Sequence, residues 1–234
     1  MSPASRSQRG PLERAARALL ADSSRSMARL ERAASRALAA AADAAIECLE
    51  SGGTVFFCGN GGSAADAQHL AAELSGRYLM DRPPLAVVAL TTNTSALTAI
   101  GNDFGFDQVF SRQLEGLATP GDVLVAISTS GGSRNVTHAV EVAHARGMTV
   151  IGMTGARGTR FAASCDHALV SPTASTPRIQ EGHIAMGHAL CELIERALFA
   201  QRPAAVKRGA AKRARGSAKR RGAAKRGGKR RGGR

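Results

Sequence analysis

The sequence has no tryptophan, a single tyrosine and only five lysines, and all five (Lys207, Lys212, Lys219, Lys225, Lys229) lie near the C-terminus. A body without lysine cannot form a Schiff base with a carbonyl substrate, because that route needs an amine nucleophile. No apolar run reaches the ~18 residues that would read as a membrane span. The opening residues lack the apolar segment of a secretory signal. Residues 6–36 are rich in Arg, Ala and Ser, but Glu13, Asp22 and Glu31 break up the positive charge, so the stretch reads as an amphipathic helix rather than a targeting peptide. The four cysteines (Cys48, Cys58, Cys165, Cys191) form no C-x-x-C pair. Dispersed thiols fit a reducing cytoplasm and argue against a disulfide framework or a zinc ribbon.

Acidic residues are absent from 207–234, where 14 Lys and Arg accumulate. They account for the whole net charge of +14, leaving 18 Arg against 18 Asp and Glu in a neutral body. From Pro203 onward there is little to bury, so 203–234 is expected to be a disordered tail. Such a segment can contact nucleic acid or another polyanion by releasing counterions, without reading sequence. With no aromatic among its basic residues, stacking on single strands is not expected.

What is present elsewhere is alternation. Residues 1–50 read as an N-terminal helical segment packing on the core, ended by Ser51-Gly52-Gly53. A domain over 51–202 follows, with apolar runs at 55–58, 85–90, 123–128, 149–154 and 167–170. Helical patterns fall at about 64–79, 106–117, 133–146, 158–164 and 177–200. Strands too apolar to face water on either side, alternating with helices, predict an α/β three-layer sandwich around a five-stranded parallel sheet.

In such a sheet, ligands bind beyond the carboxyl ends of the strands. Two strands there run into loops suited to anions: Gly59-Asn60-Gly61-Gly62-Ser63, and Ser128-Thr129-Ser130-Gly131-Gly132-Ser133. The second combines hydroxyls, glycines and a helix N-terminus, the parts of a phosphate site. Ser and Gly are also ordinary in turns and caps, so each loop alone is weak evidence. Neither ends in Gly-Lys-Ser/Thr nor reads G-x-G-x-x-G. His69 and Glu73 stand four apart, side by side on a helix, which suits a proton-transfer pair, two metal ligands or a surface ion pair. Gln180, His183 and His188 are polar groups in a mostly apolar final helix and need partners if buried.

Four motifs, GNGGSAADAQHLAAEL, LTAIGNDFGF, ISTSGGSRN and RIQEGHIAMGH, occur in an order and at separations that resemble the phosphoheptose isomerases of the SIS superfamily. The resemblance covers about residues 15–200 and implies a flavodoxin-like SIS domain. It implies interconversion of sedoheptulose 7-phosphate and D-glycero-D-manno-heptose 7-phosphate, the first step towards bacterial heptose nucleotides, by a homotetramer with sites at subunit interfaces. Carried over residue by residue, it makes Glu73 and His188 catalytic. It assigns one zinc per subunit to His69, Glu73, Gln180 and His188, the phosphate to Ser128, Thr129, Ser130 and Ser133, and the sugar to Asn60, Gly61, Gly62, Glu73, Asn102, Asp103 and Gln180. A mixed His/Glu/Gln set is atypical for structural zinc. The departures are the basic tail and a longer, Arg-rich N-terminus.

The implied chemistry suits these residue types. Moving a carbonyl between C1 and C2 through an enediol needs a base to carry a proton between the carbons and an acid to serve the oxygens. The rival reading is a non-catalytic SIS regulator that binds the replication initiator; that group lacks the equivalents of Glu73 and His188, whose presence favours the enzyme. A third reading is a sugar-phosphate binder whose tail touches DNA.

Overall fold

The computed structural model describes the backbone of residues 3–200 and side chains from Gly10 onward. The basic tail and its expected disorder lie outside the described residues. One helix, α1 (Pro3–Glu50), opens the chain, and Gly52, at φ +81°, turns it towards the sheet. The sheet comprises β1 (Val55–Gly59), β2 (Val87–Ala89), β3 (Val123–Ile127), β4 (Thr149–Gly155) and β5 (His167–Ser171), all parallel, in the order β2-β1-β3-β4-β5. Between them lie α2 (Gly62–Ser75), α3 (Thr94–Phe104), a 3-10 turn (Phe106–Gln108), α4 (Ser111–Leu117), α5 (Arg134–Ala145) and α6 (Thr159–Ala163). The chain ends its described part with α7 (Thr176–Phe199).

The expected helix at 106–117 is divided into the 3-10 turn and α4, and α3 was not anticipated. Asn93 starts α3, its side-chain oxygen accepting the N–H of Ala96 at 3.0 Å. Strand β2 is shorter than the apolar run 85–90 and lies at an edge of the sheet, with β1 as its partner.

Alternate residues of each central strand serve opposite layers. Val123, Val125 and Ile127 join a core with α1, α2 and α7, whereas Leu124 and Ala126 join one with α4, α5 and α6. Burial of a Leu such as Leu70 or Leu124, both fully enclosed, contributes about 1.5–3 kcal/mol. Helix α1 supplies Leu30, Ala34, Ala41, Ala45 and Cys48 to the first core. No helix among the described residues is long and apolar enough to cross a membrane.

Candidate functional site

Strand order reverses at β1, whose neighbours are β2 on one side and β3 on the other. The register pairs Gly59 with Ile127, so Asn60 and Ser128 leave the sheet side by side at this switch point. Asn60 and the buried Asn135 tie the first loop to the start of α5 with a reciprocal amide pair: Asn60 Nδ2 donates to Asn135 Oδ1 at 2.8 Å, and Asn135 Nδ2 donates to Asn60 Oδ1 at 2.9 Å. The second loop curls tightly. Gly131, at φ +69°, donates its N–H to Ser128 O at 3.2 Å, and Gly132 N–H donates to Ser130 Oγ at 3.1 Å. Ser128 and Ser133 hydroxyls meet at 3.1 Å, and Ser133 occupies the N-cap of α5 without using its hydroxyl to cap it. The loop thus ends at a helix N-terminus with hydroxyls gathered around it, an anion-binding arrangement.

Helices α2 and α7 lie against each other, which sequence spacing alone cannot reveal. A Cβ on Gly187 would sit 2.6 Å from Leu70 side-chain atoms, and one on Gly62 would collide with the Gln180 amide. Glycine at both positions permits this approach. The contact aligns the helices so that Gln180 meets Gly62 at one end and His188 meets His69 further along. His69 Nε2 and His188 Nε2 are 2.8 Å apart, and His69 Nε2 is 3.4 Å from Glu73 Oε1. One ligand atom from each of His69, Glu73 and His188 falls within 4.8 Å of the others. Gln180 lies eight residues before His188, about 12 Å along the helix axis, and lines a cavity of about 430 Å3 with Gly62, Asp66, Pro177 and Ile184.

The supporting shell holds residues that the motif reading passed over. Tyr78 sets its ring beside His188, with centroids 5.8 Å apart. Glu195 of α7 accepts the N–H groups of Tyr78, Leu79 and Met80 at 3.1, 2.8 and 3.0 Å. It also pairs with Arg82 at 2.8 Å, both side chains being 1% exposed. Burial pushes the Glu195 pKa up, but the three N–H groups and the guanidinium outweigh it and hold the carboxyl below its usual range. Arg82 in turn donates to the carbonyls of Glu73 and Leu74 at 3.0 and 2.9 Å, fixing the end of α2 that carries Glu73. Asp66, one turn before His69, has its pKa raised by burial, against the opposing pull of His69 and His188. A carboxylate three residues from a histidine in a helix was the available signal.

Asn102 and Asp103 lie apart from this cluster. They sit exposed in the last turn of α3, where Asn102 Nδ2 donates to Asp103 Oδ1 at 2.8 Å. Among the described residues, no hydrogen bond joins either to the other expected site residues.

A family model described as the SIS domain matches residues 8–155. The chain belongs to the SIS domain family. Within that family it belongs with the phosphoheptose isomerases. It is 60% identical over 162 residues to the phosphoheptose isomerase of Rhodospirillum rubrum, covering 69% of this chain and 86% of the relative. Among solved SIS structures, the phosphoheptose isomerase from Neisseria gonorrhoeae is 49% identical with a TM-score of 0.74, covering 79% of this chain and 98% of its own. The one from Francisella tularensis is 38% identical with a TM-score of 0.76, covering 80% and 98%. The five-stranded α/β SIS fold expected from the motifs is therefore the fold found, and the homologues favour the isomerase over the regulatory reading.

Proposed function

We propose that this aldose-ketose isomerase interconverts sedoheptulose 7-phosphate and D-glycero-D-manno-heptose 7-phosphate in the groove between α2 and α7. The convergence of His69, Glu73 and His188 from two helices carries the reading. Ser128, Thr129, Ser130 and Ser133 hold the phosphate, while Asn60, Gly61, Gly62 and Gln180 line the sugar; for Asn102 and Asp103, which lie apart from the cluster, a sugar contact rests on the motif resemblance alone.

Glu73 carboxylate removes a proton from C1 of the ketose as the C1–C2 double bond forms. His188 protonates the carbonyl oxygen at C2 and takes the proton from the C1 hydroxyl as the enediol collapses. Glu73 then returns its proton to C2, and the net change is isomerisation alone. In the ion-free site, with Nε2 atoms 2.8 Å apart, His69 and His188 can share one proton between ring nitrogens. Arg82 and Glu195 keep Glu73 and Tyr78 in place.

Two imidazole nitrogens and a carboxylate oxygen form a donor set suited to zinc with a position left open. His69, Glu73 and His188 would hold the ion, Gln180 being the remaining candidate ligand in the groove, and bound zinc supplies a Lewis acid for the substrate oxygens. The test is a coupled assay with sedoheptulose 7-phosphate, before and after chelation. Turnover that falls on chelation and returns with zinc supports the scheme; absence of turnover in metal-replete protein overturns the function.

Exposed apolar side chains support self-association. Leu12, Leu19 and Leu20 of α1 are 66%, 63% and 71% exposed, and Phe104 and Phe106 flank Gly105 beside Asn102 and Asp103. We expect a homotetramer that covers them; a monomeric mass by light scattering would exclude it. Four free cysteines suit a cytoplasmic location. For the tail, the charge of 207–234 supports nonspecific nucleic-acid contact. DNA retention at physiological salt that survives truncation after Arg202 would exclude the tail as its cause.

A further inference from the structure

The phosphate loop supplies hydroxyls, backbone groups and a helix end, but no cation of its own until Arg134, which is committed to Asp107 at 3.1 Å. Arg178, at the start of α7, is likewise engaged, with Glu181 at 2.8 Å and Asp22 at 3.8 Å. With no lysine in the body, a further guanidinium at the loop would add positive charge that favours a phosphate dianion there.

The turn between β4 and α6 provides one. Gly155 N–H donates to Thr129 O at 3.1 Å, tying the start of the turn to the phosphate loop. At its other end Gly158 presses on the same loop, so closely that a Cβ on Gly131 would lie 2.8 Å from Gly158 Cα. Gly158 N–H closes the turn on Gly155 O at 2.9 Å. Arg157 is therefore carried by a turn clamped to the loop on both sides. Its side chain lines a cavity of about 190 Å3 with Thr129, Ser130 and Thr176. The last of these begins the 24-residue helix α7, whose N-terminus adds partial positive charge. Arg157 is exposed and has no ion pair or hydrogen bond among the described residues.

We propose that Arg157 is a phosphate-binding residue that gives this site its preference for phosphorylated over free sugars. The proposal rests on reading Ser128–Ser133 as the phosphate loop. A planar guanidinium with no carboxylate partner can grip two phosphate oxygens at once, in a way a lysine cannot reproduce. An adjoining pocket of hydroxyls completes the anion's hydrogen bonds.

The test uses the full-length, metal-replete protein and the variants Arg157→Gln and Arg157→Lys. Kinetics are measured with sedoheptulose 7-phosphate, and inorganic phosphate is titrated into each protein by calorimetry. Arg157→Gln is expected to raise KM about tenfold or more, with kcat within about twofold, because a charge-assisted contact is lost from binding and not from the proton transfers. Inorganic phosphate should weaken in parallel, and Arg157→Lys should recover part of both losses. Unchanged KM and phosphate affinity in Arg157→Gln would make Arg157 a solvated surface side chain and overturn the proposal. A fall in kcat with KM and phosphate affinity untouched would overturn it equally. Absence of turnover in the wild type would instead defeat the proposed function, while the calorimetric comparison still decides the role of Arg157.

Discussion

His183 lies in the middle of α7, fully buried, and neither ring nitrogen makes a hydrogen bond. Its neighbour Gly182 packs against Ser171 of β5 and Leu30 of α1, so this stretch of helix is covered from two directions. Burial pushes the imidazole pKa down from 6.5 to about 4; the Thr154 backbone favours the charged form but does not offset desolvation. The side chain is thus neutral in the folded protein at neutral pH. Because the folded pKa lies below the unfolded one, the unfolded chain takes up the proton first, and stability falls as pH drops through 6.5. Once pH is below both values the loss from this group is about 3 kcal/mol, taking 1.36 kcal/mol per pH unit of separation. By about pH 4.5 most of that loss is in place. His183→Gln removes the titrating group while keeping a polar side chain of similar reach. Urea unfolding of both proteins at about pH 7 and about pH 4.5 should show the wild type losing about 2–3 kcal/mol more than the variant over that interval. Parallel losses, agreeing within about 0.5 kcal/mol, would refute the argument that this imidazole is held neutral by burial.

Glu73→Gln and His188→Ala should each lower kcat by at least about 100-fold with circular dichroism unchanged, since each removes a proton carrier; near wild-type turnover in either would discard its assigned role. Arg82→Leu leaves the Glu195 carboxylate buried without its ion-pair partner and should cost about 3–5 kcal/mol in chemical denaturation. Asn135→Ala breaks both halves of the amide pair and strands Asn60, for an expected loss of about 1–3 kcal/mol together with a raised KM; an unchanged KM would mean that the pair does not shape the sugar site. Ser133→Ala should weaken competitive inhibition by inorganic phosphate while leaving the unfolding midpoint close to wild type, and equal inhibition would argue against the loop as the phosphate site.

Much of this was legible in residue order. Apolar runs such as Val123–Ile127 marked buried parallel strands, and the hydroxyl-rich 128–133 loop and the His69/Glu73 spacing marked candidate chemistry. Helix α3 was missed because Asn93-Thr94-Ser95 reads equally as loop, and its helical face buries no residue fully. The pairing of His69 with His188 was inaccessible for a different reason. It depends on contacts between Gly187 and Leu70 and between Gly62 and Gln180, more than 100 residues apart in the chain. Motif spacing carries no information on such long-range approach. Asn135 and the Arg82–Glu195 pair were invisible for the same reason: each is ordinary until its distant partner arrives.

The Asn60–Asn135 pair has a property that follows from its symmetry. Each amide both gives and receives, so a concerted flip of the two leaves the same two bonds in place. The joint therefore tolerates rotation of its members but resists their separation, and the end of β1 and the start of α5 that it links are constrained to move as one lip. A ligand that grips either side of that lip restrains the other side without touching it. Slowed backbone hydrogen exchange at Gly61 and Gly62 on adding inorganic phosphate, and its absence in Asn135→Ala, would register that shared motion.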